Sequence, residues 1–471
     1  MAVDRPVGRR HSPAAAPPPG RWRRAALILL VPWLAAGCAT FSDSMSPIER
    51  DMSAGRYDAA LATLEKQSHA SRDEVLYQLN KGMLLRMQGD YAASNNAFDV
   101  AKKLMSVYYA TSVSETTSSF IINDATRAYA GEEFEQVLVD VYKALNYLAL
   151  GTLDDARVEV LQSEVKLREV AERLKSSHYT DDALARYIAG MIYEQEGEWS
   201  DALISYRKAY EAYKKEKVYA RIGIPPFLKR DLLRLTQREG LTDENEKYRK
   251  EFGIDQWTSA DDLARSGEVV FILNNGLAPI LREQAKSVYD PVSNIAVKIA
   301  LPYYQSRPMS VARVEISAGG ASAASAVVED IDTIARDSLD AKMPAIVARA
   351  VARQVVKVLA ARKAQQAAAH SSNNRDNAAL AGLIVGLAMN IANVATERAD
   401  TRSWTTLPRE VQIARLPLAP GQYDVQAKLY DASGGLIATR TFSNLKLQAG
   451  DKNYISLSWM PSQLPEPRRS P

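Results

Sequence analysis

Four histidines, one cysteine and a short acidic cluster are the side chains that could carry chemistry in this 471-residue chain. His11, His69, His178 and His370 stand far apart, and none falls in H-E-x-x-H or a comparable ligand spacing. There is no Walker loop, no G-x-S-x-G elbow and no cysteine placed as a nucleophile. Glu329, Asp330 and Asp332 lie close in sequence, but acidic runs of this kind are ordinarily solvated faces or helix caps. The residues therefore point away from an enzyme, and no cofactor or metal site is expected.

Cys38 has a different chemistry. It follows six arginines (Arg5, Arg9, Arg10, Arg21, Arg23, Arg24) set against Asp4, then an uncharged apolar run from Ala25 to Ala36. That order reads as a signal peptide. The run is about twelve residues, too short to span a bilayer of ~30 Å as a helix, and Pro32 interrupts it. The stretch LAAGC, Leu34 to Cys38, resembles the lipobox of bacterial lipoproteins, in which a small residue, here Gly37, precedes a cysteine that is diacylated before cleavage. It departs from that pattern in having Ala35 where Leu is usual, with Leu34 one place earlier. The resemblance implies lipidation of Cys38. Because Ala39 and Thr40 follow the cysteine rather than Asp, it also implies the periplasmic face of the outer membrane. The alternative is a soluble exported chain cut at an A-x-A-like site. With a single cysteine no intrachain disulfide can form, so stability must come from packing.

The formal charge is +3, of which residues 1–37 supply +5, leaving the remainder at about −2. A basic leader on a mildly acidic body excludes a nucleic-acid partner, which calls for a basic face with interleaved aromatics. With 46% hydrophobic residues, the chain after the leader is long enough for two or three domains with cores of their own.

These elements belong to two textures. From 46 to 255 a spacing of glycine, aromatic and small residues recurs. The clearest copy has Gly190, Tyr193, Gly197, Trp199, Ala202, Tyr206 and Ala209 at the offsets of a tetratricopeptide repeat, with the turn at GEW. A second has Gly82, Leu85, Gly89, Tyr91, Phe98 and Ala101, with Ser94 in place of alanine. A half copy precedes it (Gly55, Tyr57, Ala60, Leu64), and Gly55 to Gly89 is 34 residues, the repeat length. A third copy has Tyr147, Gly151, Leu153, Ala156 and Val160, after an insertion holding TSVSETTSSF. Gly82, Phe98, Ala101, Gly151, Ala156, Gly190, Tyr193, Trp199, Ala202 and Tyr206 are thus the expected packing residues of an α-helical solenoid. Such arrays present a groove to a partner segment.

From 265 to 462 the texture is β. GEVVFIL, NIAVKIAL and SVARVEIS have strand length, YDVQAKLY alternates, ASGG leads into LIATRTF, and LKLQAGDKNYISLSW reads as two further strands around Gly450-Asp451. An antiparallel sheet or small sandwich is expected, giving an α+β multidomain fold with inserted helices. A helical excursion spans 326–395. Its main helix is expected to begin at Pro344 and to set a solvated basic face (Arg349, Arg353, Lys357, Arg362, Lys363) against Ile346, Val347, Val351, Val355 and Leu359. Ala378 to Ala395 is eighteen residues without charge, with Gly382 and Gly386 four apart, and reads either as a buried or oligomer-interface helix or as a membrane-entering segment. The resulting plan is signal peptide 1–37, tether 38–45, repeats 46–255, β-rich domain 265–462 and disordered tail 463–471.

The phrases ALNYLALG (144–151), NNGLAPI (274–280) and ADTRSWTTLP (399–408) resemble a family of Gram-negative outer-membrane lipoproteins with tetratricopeptide-like repeats. That resemblance implies a cell-envelope setting, near lipoprotein activators of peptidoglycan synthases, and no activity or site residues. Two expectations follow. The first is a membrane-anchored scaffold that binds an envelope protein or peptide in its repeat groove, with a homo-oligomer as a further possibility. The second is a subunit of an oligomeric outer-membrane conduit or secretion complex that uses 378–395.

Overall fold

The computed structural model describes Met1 and residues 41–114, 126–174, 179–290, 295–370 and 398–461. The signal peptide, Cys38, residues 115–125, the segment 378–395 and the tail 463–471 lie outside the described residues.

Short loops join the helices into hairpins: α1 (Phe41–Ser53) with α2 (Tyr57–Lys66), α3 (Glu74–Gln88) with α4 (Tyr91–Ser114), and α5 (Glu133–Leu150) with α6 (Leu153–Leu174). Then come α7 (Ala183–Gln195) with α8 (Trp199–Lys215), and α9 (Pro226–Arg238) with α10 (Thr242–Phe252), before the single turn α11 (Ala260–Ala264). A helix hairpin closes tightly only where one helix lets the other's side chain reach its backbone. Gly82 and Gly190 are those places: a Cβ at Gly82 would sit 2.4 Å from the Phe98 ring, and one at Gly190 would sit 2.4 Å from the Tyr206 ring. Ser94, in the alanine position, donates to the Gly82 carbonyl at 2.7 Å, so the hydroxyl is satisfied inside the seam. The helical half is a tetratricopeptide-type array. One element differs from the sequence reading. Residues 41–45, expected as tether, form the first turns of α1, with Ser42 and Met45 buried, which completes the half copy at Gly55 into a full hairpin. Within the expected repeat region 46–255, the polar stretch ending at Gly253 is the second helix of a fifth hairpin, whose first helix starts with Pro226 at N1, where the missing N–H has no partner to lose.

The β region forms two four-stranded sheets, in line with the sandwich alternative, and a separate two-stranded hairpin. In the first, β1 (Gly267–Asn275) runs antiparallel to its central partner β7 (Glu410–Leu418) but parallel to the edge strand β10 (Lys452–Trp459), so the expectation of a purely antiparallel sheet fails at that edge pair. β6 (Ala326–Asp330) completes it against β7, so 326–330, expected within a helical excursion, is strand. The other four-stranded sheet is β4 (Arg313–Ala318), β5 (Ala321–Ala324), β8 (Gly421–Tyr430) and β9 (Leu436–Leu447). LIATRTF and LKL, expected as two strands, are one. β9 passes through Asn444 at φ 61°, where its amide donates to Asp424 at 2.9 Å and the register shifts.

Alternation on the first sheet decides the layering. Val269, Phe271 and Leu273 of β1 face the second sheet with Ala414, Leu416, Ile455 and Trp459, forming a sandwich core with Val314, Ile316, Val425, Ala427 and Leu429. Val270 and Ile272 face the helices and share their core with Val137, Tyr142, Tyr187 and Leu233. All nine residues of β1 are buried. The repeat array and the β region, expected as separate domains, are therefore parts of one compact unit from Phe41 onward.

The remaining layer is an arm made of β2 (Ile280–Asp290), β3 (Ile295–Gln305) and the 40-residue helix α12 (Ile331–His370). The helix starts thirteen residues before the expected Pro344. Asp330 caps it, accepting from the Thr333 amide at 3.1 Å and the Thr333 hydroxyl at 2.6 Å, and Pro344 lies inside, where its ring removes one intrahelical donor. The basic face also differs. Arg353 is buried, while the outward stripe is Ala345, Ala348, Ala352, Val356 and Leu359, because Val347, Val351, Val355 and Val358 pack on Val297, Ile299 and Leu301 of β3. Among the described residues no helix is long and apolar enough to cross a membrane.

Filling a close-packed seam costs about 1–3 kcal/mol, so Gly82→Ala should lower unfolding free energy in urea by that amount. Adding Phe98→Leu should recover part of the loss. Fully additive costs would show that the two positions do not share the space described here.

Candidate functional site

Repeats in α3, α5, α7 and α9 place one face of each first helix toward the sheet, and residues seven apart recur on it: Glu135 and Tyr142 on α5, Tyr187 and Glu194 on α7. This is the face that a repeat array would offer to a partner. Here it is covered by the chain's own β6, β7, β1 and β10 and by a strap, Thr401–Leu407, that turns at Thr405-Thr406 and leads into β7. The strap is held as a peptide would be. Arg402 donates to the Asp73 carboxylate and the Arg127 carbonyl, both at 2.9 Å. Glu135 accepts from the Trp404 amide at 2.8 Å, and two residues on, Asn80 accepts from the Thr406 amide at 3.3 Å. Trp404 is 1% exposed and edge-on to Phe98 and Tyr142, with ring centroids at 5.8 and 6.2 Å. Its indole N–H is satisfied by Thr406 Oγ1 at 3.0 Å.

Further along the same face the contacts are ionic. Arg415 of β7 makes a two-pronged pair with Glu268 of β1 (2.8 and 2.7 Å) and donates at 2.7 Å to both Tyr187 of α7 and Asp231 of α9. Arg234 bonds Glu194 and reaches Asp231 at 2.8 Å, while Tyr206 donates to Glu194 at 2.8 Å. Burial alone would raise the Glu194 carboxyl, but Arg234, Lys452 and Arg415 together hold it well below the usual range. Arg415 is itself kept charged: burial acts against it, and Asp231 and Glu268 outweigh burial. Beside this cluster, Arg86 of α3 bonds Asn146 and donates to Ser456 of β10 at 2.9 Å, and Tyr142 donates to Asn274 of β1 at 3.0 Å. Buried pairs of this sort add little net stability, because desolvation offsets attraction, but removing one partner strands the other. Their effect is to set the register between array and sheet.

Carboxyls at the two ends of the face behave differently. Burial pushes Glu135 up to about 7, and neighbouring Glu132 adds to this, while the bonds from Tyr129, Glu132 and Trp404 work against it. Glu329 of β6 is raised well above the ordinary range by burial and by Asp182, although Tyr219 donates to it at 3.2 Å. The acidic cluster of the sequence is thus dispersed: Glu329 points into the array, Asp330 caps α12, and Asp332 accepts from Ser306 at 2.7 Å and Arg336 at 2.9 Å. Among the described residues no group of three His, Cys, Asp or Glu could hold a metal ion.

The expected packing residues fall mostly in the helix seams. Phe98, Ala101, Ala156, Ala202 and Tyr206 are fully buried, Gly82 and Gly190 sit beneath aromatic rings, and Gly151 ends α5 at φ 76°. Tyr193 is 6% exposed and lies against Arg157. Trp199 is outside the seam: the Arg238 guanidinium covers it at 4.0 Å, and it edges a cavity of about 280 Å³ with Lys452 and Asp451. Sequence reading missed Arg415, Arg234, Glu268 and Trp404. The available signal was an ionisable residue at one alternate position of an otherwise apolar strand, as in EVQIARLPL. The expectation that the groove receives a partner segment is corrected, since the chain's own strap and sheet occupy it.

No family model matches the chain, and no curated protein matches it. Solved structures that match include MamA AMB-1, at 15% identity and TM-score 0.28, over 45% of this chain and 87% of that one. MamA MSR-1 matches at 15% identity and TM-score 0.26, over 45% and 91%. The apo form of RapI matches at 11% identity and TM-score 0.33, over 51% and 62%.

Trp404→Ala should cost about 3–5 kcal/mol in urea unfolding, the loss typical of a buried large aromatic. A loss below 1 kcal/mol would mean the strap is not integral to the fold. Arg415→Ala should cost about 3–5 kcal/mol by stranding Glu268 and Asp231, and Arg415→Ala/Glu268→Ala should cost less than the two single losses combined. Because the Glu135 carboxyl sits above its ordinary 4.5, the folded chain holds that proton more tightly than the unfolded one. Its contribution is complete below pH 4.5 and is lost as pH rises through about 7. Between pH 5 and 8 the unfolding free energy of Glu135→Gln should therefore fall by about 2–3 kcal/mol less than wild type. Parallel pH profiles would rule out a raised Glu135.

Proposed function

We propose that this chain is a non-catalytic scaffold of the cell envelope, held by acylated Cys38 at the periplasmic face of the outer membrane and meeting other envelope proteins through the outer surface of its folded body. The observation that carries the scaffold reading is the covered face of the array. With Trp404, Arg415 and the sheet filling it, the repeats act as a rigid clamp on the sandwich, and contact with other proteins is left to the outer helices. Val158, Leu161 and Val165 of α6 lie on that outer side at helical spacing and are 50%, 44% and 51% exposed, with Val100 and Val107 of α4 at 43% and 53%. Acylation is supported by the sequence around Cys38. Only Ala39 and Thr40 separate that cysteine from α1, so an acyl anchor would hold the start of α1 within ~10 Å of the bilayer surface. A multi-acyl cysteine suits a durable anchor, since each buried CH₂ contributes about 0.8 kcal/mol.

Two measurements test this. Intact-mass analysis and membrane fractionation should find wild type acylated and membrane-bound, and Cys38→Ala unacylated and soluble. A soluble, unacylated wild type would remove the anchor. Photo-crosslinking groups placed at Val158 and Val165 should capture specific envelope proteins in cells, whereas a group at Thr406 should crosslink only within the chain. The reverse pattern would return the partner to the groove.

A further inference from the structure

We infer that the cleft between the β2-β3 hairpin and α12 binds a single acyl chain bearing an anionic head group, with Lys286 as the head group's counterion. The cleft is a cavity of about 500 Å³, within the size range of small-ligand sites. It exists because of the alternation of β2. Gln284, Lys286 and Val288 share the face turned toward α12, and two of these three are long and polar where apolar side chains would close the packing. The apolar part of the wall is Val288, Leu301 and Pro302 from the hairpin and Leu339, Met343 and Val347 from the helix, with Tyr303, Tyr304, Arg336 and Asp340 beside it, and its far side belongs to the arm's own core.

The charges around it select the head group. Lys286 is exposed at the wall and has no ion-pair partner among the described residues. On the opposite wall Arg336 is already paired with Asp332 at 2.9 Å. The Asp340 carboxylate also lines the cleft, and along α12 seven Lys and Arg stand against Asp332, Asp337 and Asp340, with Lys342 already bonded to Glu132 and Glu133. A trough with apolar walls, the free cation Lys286 on its hairpin rim and the Asp340 carboxylate on its helix wall suits a long chain whose terminal carboxylate or phosphate lies at Lys286 better than a compact polar ligand, which would need several fixed donors. The inference is independent of acylation at Cys38, because it uses only the arm.

The test uses the full chain carrying Cys38→Ala, so that no covalent acyl group competes, with native mass spectrometry and fluorescence displacement as readouts. Palmitate and 1-palmitoyl-lysophosphatidylglycerol are the anionic probes, and hexadecanol is the neutral control. One palmitate per chain should bind, and each CH₂ removed from the probe should weaken binding roughly fourfold. Lys286→Ala should weaken it roughly tenfold or more with an unchanged melting temperature, and Lys286→Glu more strongly still. Met343→Trp, which fills the trough, should abolish it. Binding of palmitate alone would assign a free fatty acid, and binding of both anionic probes would assign a lipid with a larger head group. Equal binding of hexadecanol and palmitate, indifference to Lys286→Ala, or no binding of either anionic probe would overturn the inference.

Discussion

Burial of β1 on both faces is the constraint on which the rest of the structure depends. A strand of nine buried residues, Gly267 to Asn275, must be covered by one layer through Val269, Phe271 and Leu273 and by another through Val270 and Ile272. The second sheet provides one cover and the first helices of the repeats provide the other. Removing either would expose a continuous apolar surface, and for that reason the array and the sandwich fold as one unit. β1 also pairs in parallel with β10, the last strand, so its second edge is hydrogen-bonded only when the two ends of the β region meet.

Covering one sheet face with helices creates a difficulty that the polar residues resolve. Helix faces that bear Glu135, Glu194, Asp231 and Arg234 cannot be buried against a purely apolar strand without stranding charge. Glu268, Arg415, Asn274 and Ser456 come from the sheet at alternate positions and meet them. The outcome is a polar interface of low net benefit but high specificity, since a shift by one residue in β7 would turn Arg415 away from Asp231 and into the sandwich core.

That arrangement changes what a repeat array is for in this molecule. Its receptive face is spent internally, on a strap whose amides are bonded by Glu135 and Asn80 and whose tryptophan is edge-on to two aromatic rings. Surfaces that remain for other molecules are the outer sides of α4 and α6 and the arm, where polar residues on the helix-facing side of β2 leave the packing open.

Local spacing was enough to read the helix hairpins. Glycine opposite an aromatic sixteen residues later, as in Gly82 with Phe98 and Gly190 with Tyr206, is a relation within one hairpin, and its cause, the close approach of two backbones, acts within that hairpin. Most strands could be read for the same reason, since alternation is a property of the strand alone. Their partners could not. After Glu268, VVFIL reads as a uniformly apolar run, and nothing local tells which residues face helices and which face a second sheet, or that its parallel neighbour lies at the other end of the region. The start of α12 at Ile331 rather than Pro344 was hidden because Asp330 had to be recognised as a cap while also ending a strand. Arg415 and Trp404 take their roles from groups more than 180 residues away, such as Asp231 and Glu135. Sequence thus determined the periodic elements, whose energetics are set by near neighbours. Only tertiary structure decided that the groove is closed, because that depends on which distant polar groups are left to satisfy one another once β1 is buried.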